Sequence, residues 1–383
     1  MKAYNKISIC LLFALSFTGA CKDKFVSGVI VPASGYLVIQ GFINAGTGPT
    51  DISLTRTTSL DSVVVVNERG AEVEIISGNG TKFPLTEIQP GQYSLTQLPV
   101  DPTQNYHVHV KTADGKEYVS DTSTVKITKP IDNVTFTTSK QNVQIFVSTH
   151  DDQNQSQYYQ WTFEETWQYN AVFYHIYDYD YSTLTFIRIP AAEDTLPNKC
   201  WMTDESNTIL IATTAQLSKD IVNQFPVTQI SYTESNRLYI RYSILVKQMT
   251  LTSDWYEWIQ KIKRNTESLG SIFDTQPSQT GGNFHCITEP GEPVIGWVAC
   301  STQEEKRIFI SRDDLPPVPL TSGYEGCYLT PVLNNPDSIR RAYGLIDDVL
   351  YDSSGYGIYG FFAHLDCIDC RAHGGVSTKP SFW

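Results

Sequence analysis

Between residues 35 and 130 the chain alternates short apolar runs with turn-forming dipeptides, and this alternation restricts the fold more than any other feature. Asn79-Gly80 and Asp114-Gly115 each lie between two such runs, and both dipeptides favour the tight turn of a β-hairpin. Gly91 precedes a further short run. About seven short strands in roughly 100 residues predict a β-sandwich, because turn signals at this spacing leave no room for helices.

Lys129-Pro130 ends this pattern, and longer alternating runs follow it. Runs that predict strands lie at 142–151, 158–169 and 236–251. Two helices are also predicted, one over 214–223 and one over 253–269. Ser253 and Asp254 offer N-cap oxygens to the second of these helices, and its apolar residues recur on one face.

Together these patterns predict a mainly β protein of two domains. We expect an N-terminal Ig-like or carboxypeptidase-regulatory-like β-sandwich at 35–130 and a larger β-rich domain with one or two helices at 131–383. The two terminal aromatic residues, Phe382 and Trp383, are expected to pack against the second domain, because burial of aromatic rings is favourable.

Residues 1–20 have the pattern of a signal peptide. Two lysines precede an apolar stretch from Ile7 to Phe17, which is too short to span a bilayer. Thr18-Gly19-Ala20 then places small residues directly before Cys21, as at the cleavage site of exported bacterial lipoproteins. The alternative interpretation is an ordinary signal peptide with a cysteine nearby by chance.

We therefore predict that Cys21 carries diacylglycerol and an N-linked acyl chain such as palmitate, because two chains give stable membrane anchoring. Residues 21–34 would form a lipidated tether. Lys22-Asp23-Lys24 resembles the sorting signals of surface-exposed lipoproteins in Bacteroidetes-type bacteria. The expected location is thus the outer membrane, with exposure at the cell surface, and the inner leaflet remains the alternative.

The mature chain is strongly acidic. The full sequence has a formal charge of −13, and removal of residues 1–20, with their two lysines and no acid, brings it to −15. Such a surface repels phosphate groups, so the chain is not expected to bind nucleic acid.

Several residue groups could carry chemistry, but none forms a complete pattern. His107 and His109 alternate along a strand without a third metal ligand, so we interpret them as part of a solvated strand face. Glu164-Glu165 and the pair Asp178 and Asp180 lack the other ligands of a calcium loop. The chain also has no G-x-S-x-G, H-E-x-x-H, Walker or Rossmann motif. No catalytic residue, metal site or cofactor is therefore predicted.

Six cysteines remain once Cys10 leaves with the signal peptide and Cys21 carries lipid. These candidate disulfide cysteines are Cys200, Cys286, Cys300, Cys327, Cys367 and Cys370. An even number in an exported chain favours disulfides, although the sequence does not determine their connectivity. The C-x-x-C at 367–370 could instead bind zinc with His364 or His373, but the second C-x-x-C of a zinc ribbon is absent.

The segment 173–181 combines aromatic and acidic residues. Tyr177, Tyr179 and Tyr181 alternate with aspartates, a pattern too polar for a core strand. Because amphipathic rings are favoured at interfaces, we predict that these tyrosines contact a partner or ligand. A hairpin packed on its own domain is the alternative interpretation.

Six stretches in the second half of the chain are distinctive. They are CWMTDESNTILIATTAQLS at 200–218, RLYIRYSILVKQMTLTSDWYEWIQKIKRNTESLGSIFD at 237–274, SIFDTQPSQTGGNFHC at 271–286, EPVIGWVACS at 292–301, KRIFIS at 306–311 and CIDCRAHGGVSTKPSFW at 367–383. Together they resemble the domain-of-unknown-function 4249 (DUF4249) family of Bacteroidetes-type outer-membrane lipoproteins. Genes of that family often lie beside those of TonB-dependent, SusC-like transporters, so the resemblance implies an accessory role at the outer membrane. The family has no established catalytic residues to transfer.

Three functions fit these observations. The leading hypothesis is a non-catalytic surface lipoprotein that serves a TonB-dependent nutrient-uptake system by binding a ligand or the transporter barrel. The first alternative is a cell-surface hydrolase acting on glycans or peptides, which a pocket with two converging carboxylates would favour. The second alternative is an assembly or structural factor of the outer membrane.

Overall fold

The structure is a computed structural model. It describes residues 35–58, 64–175, 177–180, 182–183, 185–190, 197–267, 281–333, 335–345, 348–351 and 359–383. This part of the chain is mainly β with two α-helices, which confirms the predicted fold class. Within it, neither helix has the length and apolar character needed to cross a membrane.

Within residues 37–126, the described part of the chain contributes eleven strands to a β-sandwich. They are β1 (Leu37–Gly41), β2 (Ile43–Asn44), β3 (Thr50–Arg56), β4 (Val66–Asn67), β5 (Glu72–Ser77), β6 (Lys82–Pro84), β7 (Thr86–Gln89), β8 (Gln92–Leu95), β9 (Asn105–Lys111), β10 (Glu117–Ser120) and β11 (Ser123–Lys126). Both predicted hairpins are present, because β5 pairs with β6 and β9 pairs with β10. Gly80 and Gly115 have φ angles of 85° and 87°, which glycine adopts without strain.

The rest of the chain contains longer strands and both helices. Its elements before residue 270 are β12 (Ile131–Thr138), β13 (Asn142–Asp151), β14 (Tyr158–Asn170), β15 (Tyr177–Asp180), β16 (Thr185–Arg188), β17 (Lys199–Glu205), β18 (Leu210–Thr213), β19 (Asp220–Ser231), β20 (Arg241–Thr250) and α1 (Ser253–Glu267). The later ones are β21 (Phe284–Cys286), β22 (Ile295–Gly296), β23 (Cys300–Ser301), β24 (Gln303–Ser311), β25 (Thr330–Leu333), α2 (Pro336–Leu345), β26 (Asp348–Tyr351) and β27 (Tyr359–His364). Short 3-10 helices lie at Arg312–Asp314, Leu365–Cys367 and Cys370–His373.

Two sheets face each other in the first sandwich. One has the strand order β22-β1-β3-β8-β7, and β4 also pairs with β3. The other has the order β2-β23-β11-β9-β10-β21, and β5 pairs with both β9 and β6. Their inner residues form one core that includes Leu37, Ile52, Val108 and Tyr118, each fully buried.

The structure differs from the predicted domain boundaries in one respect. Strands β21, β22 and β23 come from residues 284–301, so the chain returns to complete the first sandwich. The span 131–383 is therefore not one continuous domain, and Cys286 and Cys300 belong to the first core. These short strands pair with backbone groups of β1, β10 and β11 that would otherwise be open edges. Strands of two or three residues have no periodic pattern that a sequence could reveal.

A second β-sandwich forms the larger unit. The sheet β12-β13-β19 packs against the sheet β17-β14-β20-β24, in which β18 also pairs with β14. Alternate residues of β13, β14 and β20 point into the shared core, and Ile145, Trp161 and Ile244 are fully buried there. The hairpin β15-β16 and the small sheet β25-β27-β26 lie outside these two sheets.

Helix α1 confirms the longer of the two predicted helices. Its N-cap is Thr252, one residue before the predicted caps, because the Thr252 Oγ1 accepts a hydrogen bond from the Trp255 N–H at 3.2 Å. Asp254 lies in the first turn, where a negative charge interacts favourably with the helix dipole.

The other helix prediction is wrong, because β19 begins at Asp220 inside the span 214–223. The buried Asp220 carboxylate accepts hydrogen bonds from the Tyr159 hydroxyl at 2.8 Å and from the Thr214 hydroxyl at 2.5 Å. Tyr159 lies on β14, and β19 pairs along its length with β13, so contacts with distant strands favour a strand here over any local helical preference. Helix α2 at 336–345 was not predicted.

Buried hydrogen bonds join the two sandwiches where the chain crosses between them. The Thr250 N–H donates to the Thr128 Oγ1 at 2.9 Å, and the Ser301 hydroxyl donates to the Thr250 carbonyl at 2.9 Å. The Gln248 amide donates to the Lys129 carbonyl at 2.9 Å. Since breaking the two buried bonds of Thr250 would leave polar groups unpaired, they stabilise the contact between the two units.

Candidate functional site

The structure describes only some of the residues that are predicted to carry lipid or to contact a partner. Cys21 lies outside the described residues, so its lipidation stays a prediction. Tyr177 and Tyr179 lie on β15, which pairs with β16 in a hairpin as expected. Tyr181 lies outside the described residues. A role of these tyrosines in partner contact also stays a prediction.

Four of the six candidate cysteines form disulfides. Cys200 on β17 is bonded to Cys370, and Cys327 is bonded to Cys367. The two cysteines of the C-x-x-C therefore have separate, distant partners, so this motif is neither a redox dithiol nor a zinc site. Within the described residues, no group of three or more His, Cys, Asp and Glu side chains is placed to hold a metal ion.

Cys286 and Cys300 are the exceptions to the disulfide prediction, because both are free and buried. They lie on β21 and β23 of one sheet, with β10, β9 and β11 between them. At about 4.8 Å per strand, the two positions are roughly 19 Å apart along the sheet. A disulfide requires Cα atoms within about 7 Å of each other. Burial also raises the pKa of Cys300 to about 12, which keeps its thiol protonated and unreactive.

A partly buried ionic cluster joins Arg237, which precedes β20, to side chains of β14, β17 and β20 in the second sandwich. Arg237 forms ion pairs with Glu165 and, at 2.9 Å, with Asp204. Its guanidinium carbon lies 4.8 Å from the centre of the Trp167 ring. The Tyr242 hydroxyl donates to the other Glu165 carboxylate oxygen at 2.5 Å. We call these five residues the Arg237 cluster.

Burial determines the protonation of this cluster. The Glu165 side chain is only 5% exposed, and desolvation raises the pKa of Glu165 although Tyr242 and Arg237 act in the opposite direction. Desolvation likewise raises the pKa of Tyr242, and the neighbouring Glu165 carboxylate adds to this effect. Tyr242 therefore remains a protonated hydrogen-bond donor to Glu165.

Two cavities flank the Arg237 cluster. One of about 510 Å³ is lined in part by Glu165, Asp204, Arg237 and Lys263, and another of about 570 Å³ shares Asp204 and Arg237. Converging carboxylates of this kind suit acid–base chemistry in principle. Here both Glu165 oxygens and one Asp204 oxygen are bonded within the cluster. Proton transfer from Glu165 to a bound molecule would therefore require the cluster to open first.

A third cavity, of about 300 Å³, lies where the two sandwiches meet, and we call it the junction trough. Its walls include Phe42 and Trp297 of the first sandwich, Met249 of β20, and Trp255, Trp258 and Ile259 of helix α1. Both units contribute side chains, so only the folded chain with its return segment forms this cavity.

The apolar face of helix α1 builds one wall of the trough. Trp255 and Ile259 are four residues apart and thus lie on one side of the helix. Both are 5% exposed, and they pack with Leu251 and Ala299 in a small core between the two units. This core holds the helix in place and leaves its neighbouring residues at the rim of the trough.

The rim of the trough is aromatic and carries few polar groups. Trp258 donates from its indole N–H to the Gly281 carbonyl at 2.7 Å, and its ring centre lies 6.2 Å from that of Trp297. Apart from indole N–H groups, Gln40 and Gln160 supply the polar side chains among the described lining residues. None of these lining residues is ionisable.

Sequence reasoning did not find either site. The sequence indicates Glu165 only as part of an acidic pair, although this residue stands at an inward position of β14 between Phe163 and Trp167. A charged residue at an inward strand position requires a buried partner. The inward position of Glu165 was therefore the one sequence feature that could have indicated the cluster. Nothing in the sequence identified Arg237, 72 positions later, as that partner.

Comparison with known proteins supports the resemblance described above. The family described as "Domain of unknown function (DUF4249)" matches residues 25–307, which is more than half of the 383 residues. The match includes the return strands, the Arg237 cluster and the junction trough, and it ends within β24. No curated protein matches the chain.

Proposed function

This chain belongs to the DUF4249 family, and we propose that it is an outer-membrane-anchored surface lipoprotein that binds without catalysing a reaction. Its role is accessory to a TonB-dependent, SusC-like nutrient-uptake system, in which it holds a ligand or contacts the transporter. Lipid on Cys21 anchors the chain, and residues 21–34 separate its acidic body from the membrane.

The junction trough is the observation that carries the binding part of this proposal. Small-molecule sites are typically concave, mostly apolar cavities of about 300–1,000 Å³ with a few polar groups. The trough, at about 300 Å³, matches this description. Because none of its described lining residues is ionisable, these side chains supply no general acid, general base or charged nucleophile.

The anchor and the partner are supported by the sequence and by the disulfides. Residues 1–20 followed by Cys21 have the lipoprotein pattern, and the family resemblance implies a neighbouring TonB-dependent barrel. The bonds Cys200–Cys370 and Cys327–Cys367 agree with export, because structural disulfides persist in oxidising compartments.

Purification of the native protein in mild detergent tests the partner. We expect a TonB-dependent barrel to co-purify with the wild-type chain and to be lost with Cys21→Ser, which removes the lipid attachment site. Recovery of outer-membrane assembly machinery instead would support a structural or assembly role. Recovery of neither, under conditions that retain other transporter complexes, would count against the accessory role.

A glycan or peptide hydrolase is the second candidate, and the Arg237 cluster is what favours it. Glu165 and Asp204 face a common cavity, and burial raises the pKa of Glu165, as in the acid of a hydrolase. A hydrolase would show turnover that Glu165→Gln reduces by about 100-fold or more. The proposed binding protein shows no turnover of labelled glycans or peptides in either form.

A further inference from the structure

The lining of the junction trough indicates which kind of molecule it accepts, an inference that rests on the binding function proposed above. We propose that the trough binds an uncharged, largely apolar molecule with a flat ring system and one or two hydrogen-bonding groups.

The lining residues explain why the ligand is expected to be uncharged. A charged group that leaves water for such surroundings is strongly disfavoured unless an opposite charge pairs with it, and the described lining offers none. Lys263 on the same helix lines the neighbouring charged cavity and donates to the Ile209 carbonyl. Ile209 itself lines both cavities. Carboxylates, phosphates and ammonium groups are therefore poor ligands for the trough.

The preference for flat rings comes from the aromatic walls. The planes of Trp258 and Trp297 are inclined by 36°, and both rings are only partly buried. Indole faces attract flat apolar rings through offset or edge-to-face stacking. Phe42 adds a third partly buried ring, and the flexible Met249 side chain adapts to a ligand's outline.

The number of polar groups on the ligand is limited by Gln40 and Gln160. Each amide side chain presents one NH₂ group and one carbonyl oxygen, so the two together can pair with only a few polar groups of a ligand. A sugar with a hydroxyl on almost every carbon would leave most of these groups without partners, at an unfavourable desolvation cost. The lining thus favours an aromatic or heterocyclic compound over a carbohydrate.

Tight backbone packing and buried hydrogen bonds fix the shape of the trough. Gly41 lines it with a φ angle of 141°, and an added Cβ would lie 2.3 Å from the Asp51 carbonyl oxygen, so bare backbone is required there. The buried hydrogen bonds of Thr250 with Thr128 and Ser301 hold the two walls together. Little conformational freedom is therefore lost when a ligand binds.

Titration of the purified full chain with N-phenyl-1-naphthylamine, an uncharged aromatic amine, tests this inference. Binding is followed by energy transfer from tryptophan, so probe dissolved in detergent away from the protein contributes little. Two variants alter the trough: Trp258→Ala removes one wall, and Ile262→Trp fills the cavity. Tyr239→Ala is the matched control, because it removes an exposed ring outside the trough. Circular dichroism confirms that each variant is folded.

We expect saturable binding that both trough variants weaken at least tenfold and that Tyr239→Ala leaves unchanged. The sulfonated analogue 8-anilino-1-naphthalenesulfonate should bind at least tenfold more weakly than the uncharged probe. Equal or tighter binding of the sulfonate, displacement of the probe by a neutral oligosaccharide, or unchanged binding in both folded trough variants would overturn the proposal. If the probe fails to bind while the barrel still co-purifies, the ligand class is wrong and the accessory role stands.

Discussion

Replacement of Arg237 by Met is expected to destabilise the second sandwich in a pH-dependent way. Methionine retains an unbranched stem but removes the guanidinium group that pairs with Glu165 and Asp204. The Glu165 carboxylate then remains buried, with the Tyr242 hydroxyl as its remaining partner in the Arg237 cluster. The variant therefore isolates the effect of an uncompensated buried charge.

The magnitude follows from the burial of the two partners. Removal of one member of a buried ion pair costs about 3–5 kcal/mol. Because the Arg237 side chain is 28% exposed, we expect the lower end, about 3 kcal/mol, with roughly 0.5–1 kcal/mol more for the lost contact with Trp167. For a unit of about 200 residues, 3 kcal/mol lowers the melting temperature by roughly 6–12 °C.

The pH dependence follows from the raised pKa of Glu165. A carboxyl whose pKa is higher in the folded than in the unfolded chain binds its proton more tightly when folded. Its contribution to stability is therefore full below the unfolded pKa and is lost as pH rises through the folded pKa. Arg237 lowers the pKa of Glu165, so its removal moves the folded pKa further up. The variant should lose more stability at pH 8 than at pH 5.

Urea unfolding of the oxidised protein at these two pH values, followed by tryptophan fluorescence, measures the effect. Glu165→Gln and the double variant Glu165→Gln/Arg237→Met complete a double-mutant cycle. The double variant should be more stable than Arg237→Met alone at pH 8, because it buries no unpaired charge. Equal losses at the two pH values, or strictly additive effects in the cycle, would refute the reasoning.

Three further outcomes are expected. A thiol-reactive dye should find two free thiols, Cys286 and Cys300, in the unfolded, unreduced mature protein, and four or more would contradict the disulfide pairs. Deletion of Phe382 and Trp383 should lower the melting temperature of the second sandwich, because the Trp383 ring centre lies 5.7 Å from that of a β24 phenylalanine. An unchanged melting temperature would count against docking of the tail. Gly296→Ala should lower the free energy of unfolding in urea by more than about 1 kcal/mol, because φ is 137° and the added Cβ would meet a β1 carbonyl oxygen at 2.0 Å. An unchanged free energy of unfolding would argue against this backbone path.

Local chemistry explains why much of the fold could be predicted. The hairpin turns at Asn79-Gly80 and Asp114-Gly115 depend on residues that tolerate positive φ, so the turn dipeptide itself carries the information. Helix α1 could be predicted for a similar reason, since its polar start and the spacing of Trp255 and Ile259 are properties of one short segment. The prediction over 214–223 failed because pairing with β13 and the buried hydrogen bond from Tyr159 to Asp220 outweighed local preference.

The candidate sites could not be predicted in the same way, because each joins residues that are far apart in the chain. The Arg237 cluster pairs Glu165 with a guanidinium 72 positions later. The junction trough places Trp297 beside Trp258 only because residues 284–301 return to the first sandwich. No local pattern indicates which distant segment completes a sheet or a cavity.

The sequence alone determined the mainly β class, the hairpins and the family, because alternation, turn residues and stretches that resemble the family are local properties of the chain. It also supplied the lipoprotein pattern at Cys21, on which the proposed anchor rests. Only the tertiary structure decided that residues 284–301 complete the first sandwich and which four cysteines are bonded. Strand pairing and disulfide geometry depend on distances between remote segments, and these distances exist only once the whole chain has packed.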